Sequence, residues 1–260
     1  MSSDSTLTGE FPEARTAIVT GGAKRIGAAI VDALRTDGWH VLVHCHRSCE
    51  EAERRFRGDA MVRTAAADLG EPDAAGRIMA AIEGWPPPAL LVNNASRFVY
   101  DSLEGFTAAN WDAHFAVNLR APALLAQAFA AAVPQGQGAL VVNITDAKLA
   151  NPNPDFFTYT LSKMGLAGLT ELLARPLAKR GIRVCAIAPS TTLVSGPQSR
   201  ENFDAVHRLN ALGRGVRVEE VLAALRFIVA TRTLTGQTLT IDGGQRFLGL
   251  ARDVQFVNAP

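Results

Sequence analysis

The sequence predicts one α/β domain, a Rossmann-like, doubly wound parallel sheet flanked by helices. Three observations carry this. Strand-like and helix-like segments alternate along the chain. The strands read as near-continuous apolar runs, as strands covered on both faces do. And the turn after the first strand is rich in glycine and opens directly into a helical pattern. Crossovers in such a sheet are right-handed, and ligands bind outside the carboxyl ends of the strands.

TAIVT (16–20) is the first strand, and glycines and a helix pattern to residue 35 follow it. Gly38 and Trp39 mark the turn into HVLVH (40–44). Helical residues run over 49–56, and MVRTAAADL (61–69) reads as a third strand ending at Asp68. A helix is expected over 71–83, then a surface loop at GWPPP and a buried strand in ALLVNNA (89–95). A long helix spans 108–133, with Pro122 as a point of perturbation. GALVVNIT (138–145) is the fifth strand, followed after KLANPNPDF by a helix to about residue 179. IRVCAIAP (182–189), a polar loop and short helix (190–212), a helix (218–230) and the strand QTLTID complete the pattern.

The chain has 260 residues, 48% of them hydrophobic, enough for one sizeable core. A formal net charge of +1, with basic residues spread along the chain, argues against a nucleic-acid partner. Three cysteines do not make a disulfide framework and suit a reducing compartment. No apolar run reaches membrane-spanning length, and the polar first residues lack a signal core. The expectation is a cytoplasmic protein with a leader over 1–14 and a single domain over 15–260, with no linker dividing it.

The stretch VHCHRSCEE (43–51) holds two histidines and two cysteines. A metal site is disfavoured, because zinc ligands come as spaced pairs from separate elements and no second cluster exists here. TGGAKRIG (20–27) offers the better account. Gly21 and Gly22 permit a tight turn, Gly27 permits close helix–strand packing, and the helix N-terminus presents free N–H groups to a pyrophosphate. In such a site the end of the second strand normally carries an acid for the ribose hydroxyl. Here it reads His46-Arg47-Ser48, where a guanidinium and a hydroxyl would take a 2′-phosphate. The cofactor expected is NADPH, with Lys24 or Arg25 adding positive charge. YTLSK (159–163) then puts a phenol and an ammonium on one helical face, where the cation would favour phenolate.

TGGAKRIG, NNAS at 93–96, Asn118 in VNLRAP, YTLSK and the late IDGG, in that order, resemble the short-chain dehydrogenase/reductase family over about residues 16–244. The resemblance implies a nicotinamide-dependent oxidoreductase, mostly homotetrameric in this family. It makes Tyr159 the proton donor, with Lys163 lowering its pKa and holding the nicotinamide ribose, and Asn118 supporting a proton-relay water. It places Gly21, Ile26, Asp68, Leu69, Asn94, Ala95, Pro189 and Ser190 along the cofactor.

Two positions depart from the common family pattern. Arg25 stands where glycine is usual, and Asp146 stands where the catalytic serine is usual, about a dozen residues before the tyrosine. Both departures, with HRS and NNAS-x-F, resemble the pteridine reductase and dihydromonapterin reductase branch. That branch implies that Arg25 reaches cofactor phosphate and substrate, that Ser96 contacts both, and that Phe98 stacks on a pterin ring. A carboxyl can share a proton with Tyr159 and help protonate a ring nitrogen. Burial would raise its pKa while Lys163 pulls the other way.

The reading is therefore reduction of a dihydropterin such as dihydromonapterin or dihydrobiopterin, or of dihydrofolate. The alternatives are a carbonyl or 3-oxoacyl reductase and a non-catalytic NADPH-binding sensor. Residues 190–212, with Gly196 and Pro197, are expected to form a substrate lid. His207 reads as a surface or core residue. The apolar-rich tail GGQRFLGLARDVQF either packs on its own domain or lies in a subunit interface.

Overall fold

A computed structural model describes residues 11–195 and 198–257. Most of the expected leader, and Gly196 and Pro197 of the expected lid, lie outside the described residues. The elements in order are β1 (Thr16–Val19), α1 (Arg25–Thr36), β2 (His40–Cys45), α2 (Cys49–Arg55), β3 (Val62–Ala66), α3 (Ala74–Ala80), β4 (Pro88–Asn93), α4 (Ala108–Phe115), a π-helical turn (Ala116–Arg120) and α5 (Ala121–Ala132). There follow β5 (Ala139–Ile144), a 3-10 turn (Ala147–Ala150), α6 (Phe157–Ala178), β6 (Ile182–Pro189), α7 (Arg200–Val206), α8 (Val218–Ala230) and β7 (Thr238–Ile241).

The seven strands form one sheet in the order β3-β2-β1-β4-β5-β6-β7, and every pairing is parallel. Alternate strand residues feed two cores. Val19, Val41 and Val43 pack with Val31 and Leu34 of α1 and Val221 and Leu225 of α8. Ile18, Leu42 and Leu91 pack with Ile78 of α3 and Leu125 and Phe129 of α5 on the opposite face. This double burial is why the strands lack a polar face. At β1 the chain order reverses, with β2 on one side and β4 on the other, so the crevice opens at the carboxyl ends of β1 and β4.

Three elements differ from expectation. β3 stops at Ala66, its last residue paired with Cys45, and the Asp68 carboxylate instead accepts the Gly70 N–H at 2.8 Å. The helix expected over 71–83 shortens to Ala74–Ala80. The helix expected over 108–133 is broken by the π turn. Pro122 has no N–H to give the Asn118 carbonyl, so the regular ladder fails there and the chain takes a wider turn. The joined helical run Ala108–Ala132 is also, by length and composition, apolar enough to cross a membrane, contrary to expectation. Its apolarity serves the sheet: Leu125, Ala126 and Phe129 are fully buried against it.

Candidate active site

The turn after β1 is built by close approach. Gly21 has φ 62°, and a Cβ on Gly27 would fall 2.2 Å from the Gly21 carbonyl oxygen. The β4 loop is fastened to this turn. Thr20 Oγ1 accepts the N–H groups of Asn94 and Ala95, and the Asn94 amide donates to the carbonyls of Thr20 and Gly21 at 2.9 and 3.2 Å. Arg25, standing where the family has glycine, holds φ 58°, a conformation that costs a larger residue about 1 kcal/mol.

His44, one of the two histidines of VHCHRSCEE, braces the glycine turn, a role the sequence did not reveal. Its Nδ1 accepts the Gly21 N–H at 3.1 Å, and its Nε2 lies 3.0 Å from the Ala67 carbonyl, so the neutral ring carries its proton on Nε2. Burial holds its pKa below the usual histidine value. A histidine held neutral when folded contributes stability above its unfolded pKa of about 6.5 and loses it as pH falls below that. Thermal unfolding should therefore show a loss of stability below about pH 6.5 that His44→Gln abolishes.

At the end of β2 the side chains part. Cys45 and Cys49 are joined by one local disulfide, with Cα atoms 5.2 Å apart, which the cysteine count did not lead us to expect, and Cys185 is buried and free. Residues 46–48 form the loop between the two bonded cysteines. His46 lies 3.6 Å from Asp68, and Lys24 pairs with Glu51 at 2.7 Å. Among the described residues Arg47 is exposed and makes no ion pair. Arg25 turns toward the expected lid, where its guanidinium bonds the Val194 carbonyl and, at 3.0 Å, Ser195 Oγ.

The catalytic candidates converge where β5 meets α6. Tyr159 donates its hydroxyl hydrogen to Asp146 Oδ2 at 2.7 Å, and Asp146 Oδ1 accepts the Lys148 N–H at 2.8 Å. Lys163 Nζ donates to the Ile144 carbonyl at 2.7 Å. Burial pushes the Asp146 carboxyl above the ordinary carboxylate range, against the pull of its bonds to Tyr159 and Lys148 and of the Lys163 charge. Burial lowers the Lys163 ammonium to about 8. The lysine was expected to lower the tyrosine pKa; here the phenol is instead raised well above its usual value. Burial is the main cause, and the adjacent Asp146 carboxylate, which accepts the phenolic hydrogen, adds to it. Tyr159 and Asp146 thus hold a proton between them rather than releasing it.

Asn118 lies behind this centre. Its amide oxygen accepts the Arg97 N–H at 2.8 Å, and its amide nitrogen donates to the Arg97 carbonyl at 3.0 Å and Ser162 Oγ at 2.9 Å. The side chain is thereby committed to holding the β4 loop, and Ser96 Oγ adds a bond to it at 3.3 Å. Phe98, on that loop, stacks on Phe156 at 4.2 Å between centroids and meets the Tyr159 ring edge-on at 4.7 Å.

One cavity of about 870 Å³ runs from the glycine turn to the tyrosine, and Asn118 and Phe156 do not line it. The glycine turn, Ile26, Arg47, Ser48, Asp68, Leu69, Asn94, Ala95, Ser96, Phe98, Asp146, Tyr159, Lys163, Pro189 and Ser190 line it. So do Lys148, Asn153, Asp253 and Gln255, which the sequence analysis did not single out. The tail packs on its own domain, Phe256 lying over Phe156 at 5.9 Å. His207 is half-buried, stacked on Phe203 with Nε2 2.8 Å from the Val216 carbonyl.

A glycine turn feeding a helix at the sheet's switch point, joined to a buried tyrosine–lysine pair at β5, defines a nucleotide-dependent oxidoreductase. The family profile described as short chain dehydrogenase matches residues 15–204, and the chain belongs to this family. It is similar to the crystal structure of FolM alternative dihydrofolate reductase 1 from Brucella canis complexed with NADP, with 43% identity and a TM-score of 0.83, covering 89% of this chain and 94% of that one. Pteridine reductase 1 of Leishmania tarentolae is 30% identical, over 90% of this chain and 96% of its own. L-xylulose reductase of Mus musculus is 31% identical, over 88% and 96%.

Proposed function

We propose that this protein reduces a dihydropterin or dihydrofolate with NADPH. The observation that carries this reading is the carboxyl of Asp146, hydrogen-bonded to Tyr159 where the family's common serine offers only a hydroxyl. Similarity to FolM alternative dihydrofolate reductase 1 and to pteridine reductase 1 supports it.

The residues present fit the cofactor. The space a Cβ on Gly27 would fill keeps the turn tight and the helix N-terminus close to the cavity. Arg47, free of any ion pair among the described residues, and Ser48 suit a 2′-phosphate, while no carboxylate stands in the 46–48 loop to repel it. NADPH, when bound, supplies the hydride. Lys163 holds positive charge beside it below about pH 8. Tyr159 gives its proton to the ring nitrogen of the C=N bond, and Asp146, whose carboxyl burial pushes toward its protonated form, is placed to relay a replacement proton to the phenol. Phe98, backed by Phe156, presents an aromatic wall for a flat ring. Arg25 holds residues 193–195 of the lid.

Arg47→Asp should lower kcat/KM for NADPH about 10²-fold while sparing NADH, measured by steady-state kinetics with each cofactor. The substrate is tested by incubation with dihydropterin and NADPH deuterated at the transferring carbon. Deuterium on a ring carbon of the tetrahydro product supports the reading, and its absence alongside turnover of a sugar ketone favours carbonyl reduction instead. We further place the chain in a homotetramer, consistent with exposed Leu103, Leu172 and Phe247, each more than 60% accessible.

A further inference from the structure

We propose that the C-terminal segment 252–256 is a wall of the substrate chamber in its own subunit, and that Asp253, through its ion pair with Lys148, is the positioning residue that holds it there. This rests on the reading that the chamber beside Asp146 and Tyr159 receives the pterin.

The segment is fastened at several points to the loop that carries the catalytic aspartate. Asp253 Oδ2 lies 3.1 Å from Lys148 Nζ, and with side chains only 13% and 9% exposed the pair is largely withdrawn from water. The same lysine donates to the Asp155 carbonyl at 2.5 Å. Asp155 Oδ2 in turn accepts the Asp253 N–H at 2.7 Å and Arg252 Nε at 2.8 Å. Phe256 lies on Phe156, which lies on Phe98, the ring that meets Tyr159. On the other side, Asn202 of α7 donates to the Gln255 carbonyl at 3.3 Å, tying the segment to the lid region.

The placement separates substrate from cofactor. Lys148 and Asp253 line the cavity at the end of β5, and Lys148 is two residues from Asp146, whose carboxylate accepts its N–H. Arg47 and Ser48 follow β2, three strands away in the sheet. A buried ion pair adds little net stability but fixes geometry, and removing one partner leaves the other uncompensated. The groups facing Asp146 are Tyr159 and Lys163 from α6, Lys148 from its own loop and Asp253 from the tail; Asp155 and Arg252 flank the pair. Asp253's negative charge favours the protonated forms of Asp146 and Tyr159, and a positive charge at Lys148 acts in the opposite sense.

The test compares Asp253→Asn, Lys148→Met and the charge-exchanged K148D/D253K protein with the wild type, with unfolding midpoints measured to confirm folding. Each single variant should raise the dihydropterin KM about tenfold with NADPH Kd unchanged within about twofold, and the exchange should recover most of the loss. The alkaline limb of the pterin rate should move to lower pH in D253N and to higher pH in K148M, opposite shifts that a purely structural role would not produce. Hydrogen exchange of the C-terminal peptide should quicken in D253N. Unchanged KM in both single variants, or a matching loss of NADPH affinity, overturns the proposal. A wild type that leaves dihydropterin untouched refutes the pterin reading instead. In that case exchange decides the positioning role: an equally protected tail in D253N overturns it.

Discussion

Tyr159→Phe should lower turnover by about 10² to 10⁴-fold while the protein stays folded and binds NADPH as before. The phenol is the group placed to give up a proton: its hydroxyl touches the Asp146 carboxyl at 2.7 Å and its ring borders the cavity. Removing the oxygen removes that donor, yet leaves Lys163 in place on the Ile144 carbonyl. The fold should survive. The lost hydroxyl is a single hydrogen bond, and the Asp146 carboxyl keeps the Lys148 N–H. Stopped-flow kinetics and NADPH fluorescence read the two quantities separately. Retention of more than a tenth of the rate would remove Tyr159 from the proton path.

Asp146→Ser should cost about 10²-fold in kcat/KM for a dihydropterin. Serine restores the common family residue, so a simple carbonyl substrate should gain relative to the pterin. The pH dependence separates the roles. A carboxyl whose folded pKa is raised keeps its proton below that pKa and loses it as pH rises through it. The wild-type pterin rate should therefore be full at low pH and fall as Asp146 ionises. In the serine variant that limb should vanish, leaving only the loss of the Lys163 charge near about 8. The same linkage has a stability sign. A carboxyl raised on folding contributes stability at acid pH that is lost as pH rises through its folded pKa, so Asp146→Asn should remove that fall in stability with rising pH. Near-wild-type pterin kinetics in the serine variant would end the assigned role.

Much of the architecture was legible because it rests on local chemistry. TGGAKRIG declares its turn through glycine, and Tyr159 and Lys163 share a helical face by spacing alone. Apolar runs declared the inner strands, such as β4, β5 and β6, because both faces of the sheet are covered there. What escaped depends on groups far apart in the chain. His44 reads as one more strand residue until the Gly21 N–H is seen on its ring. The tail reads as an apolar end until Arg252 and Asp253 are seen on Asp155. The raised tyrosine pKa follows first from how deeply the phenol is buried, which spacing along the chain does not reveal, and then from the Asp146 carboxyl. The π turn did leave a signal. Pro122 denies Asn118 its helical donor, and the ladder had to widen there.

The central claim is that this active site protonates a ring nitrogen as a C=N bond is reduced. The measurement that tests it most directly is NADPH oxidation by purified protein with dihydromonapterin, dihydrobiopterin, dihydrofolate, L-xylulose and a 3-oxoacyl thioester assayed side by side. The expected kcat/KM for at least one of the three pterin substrates is about 10²-fold above that for either carbonyl compound. Turnover confined to the sugar or the thioester would contradict it.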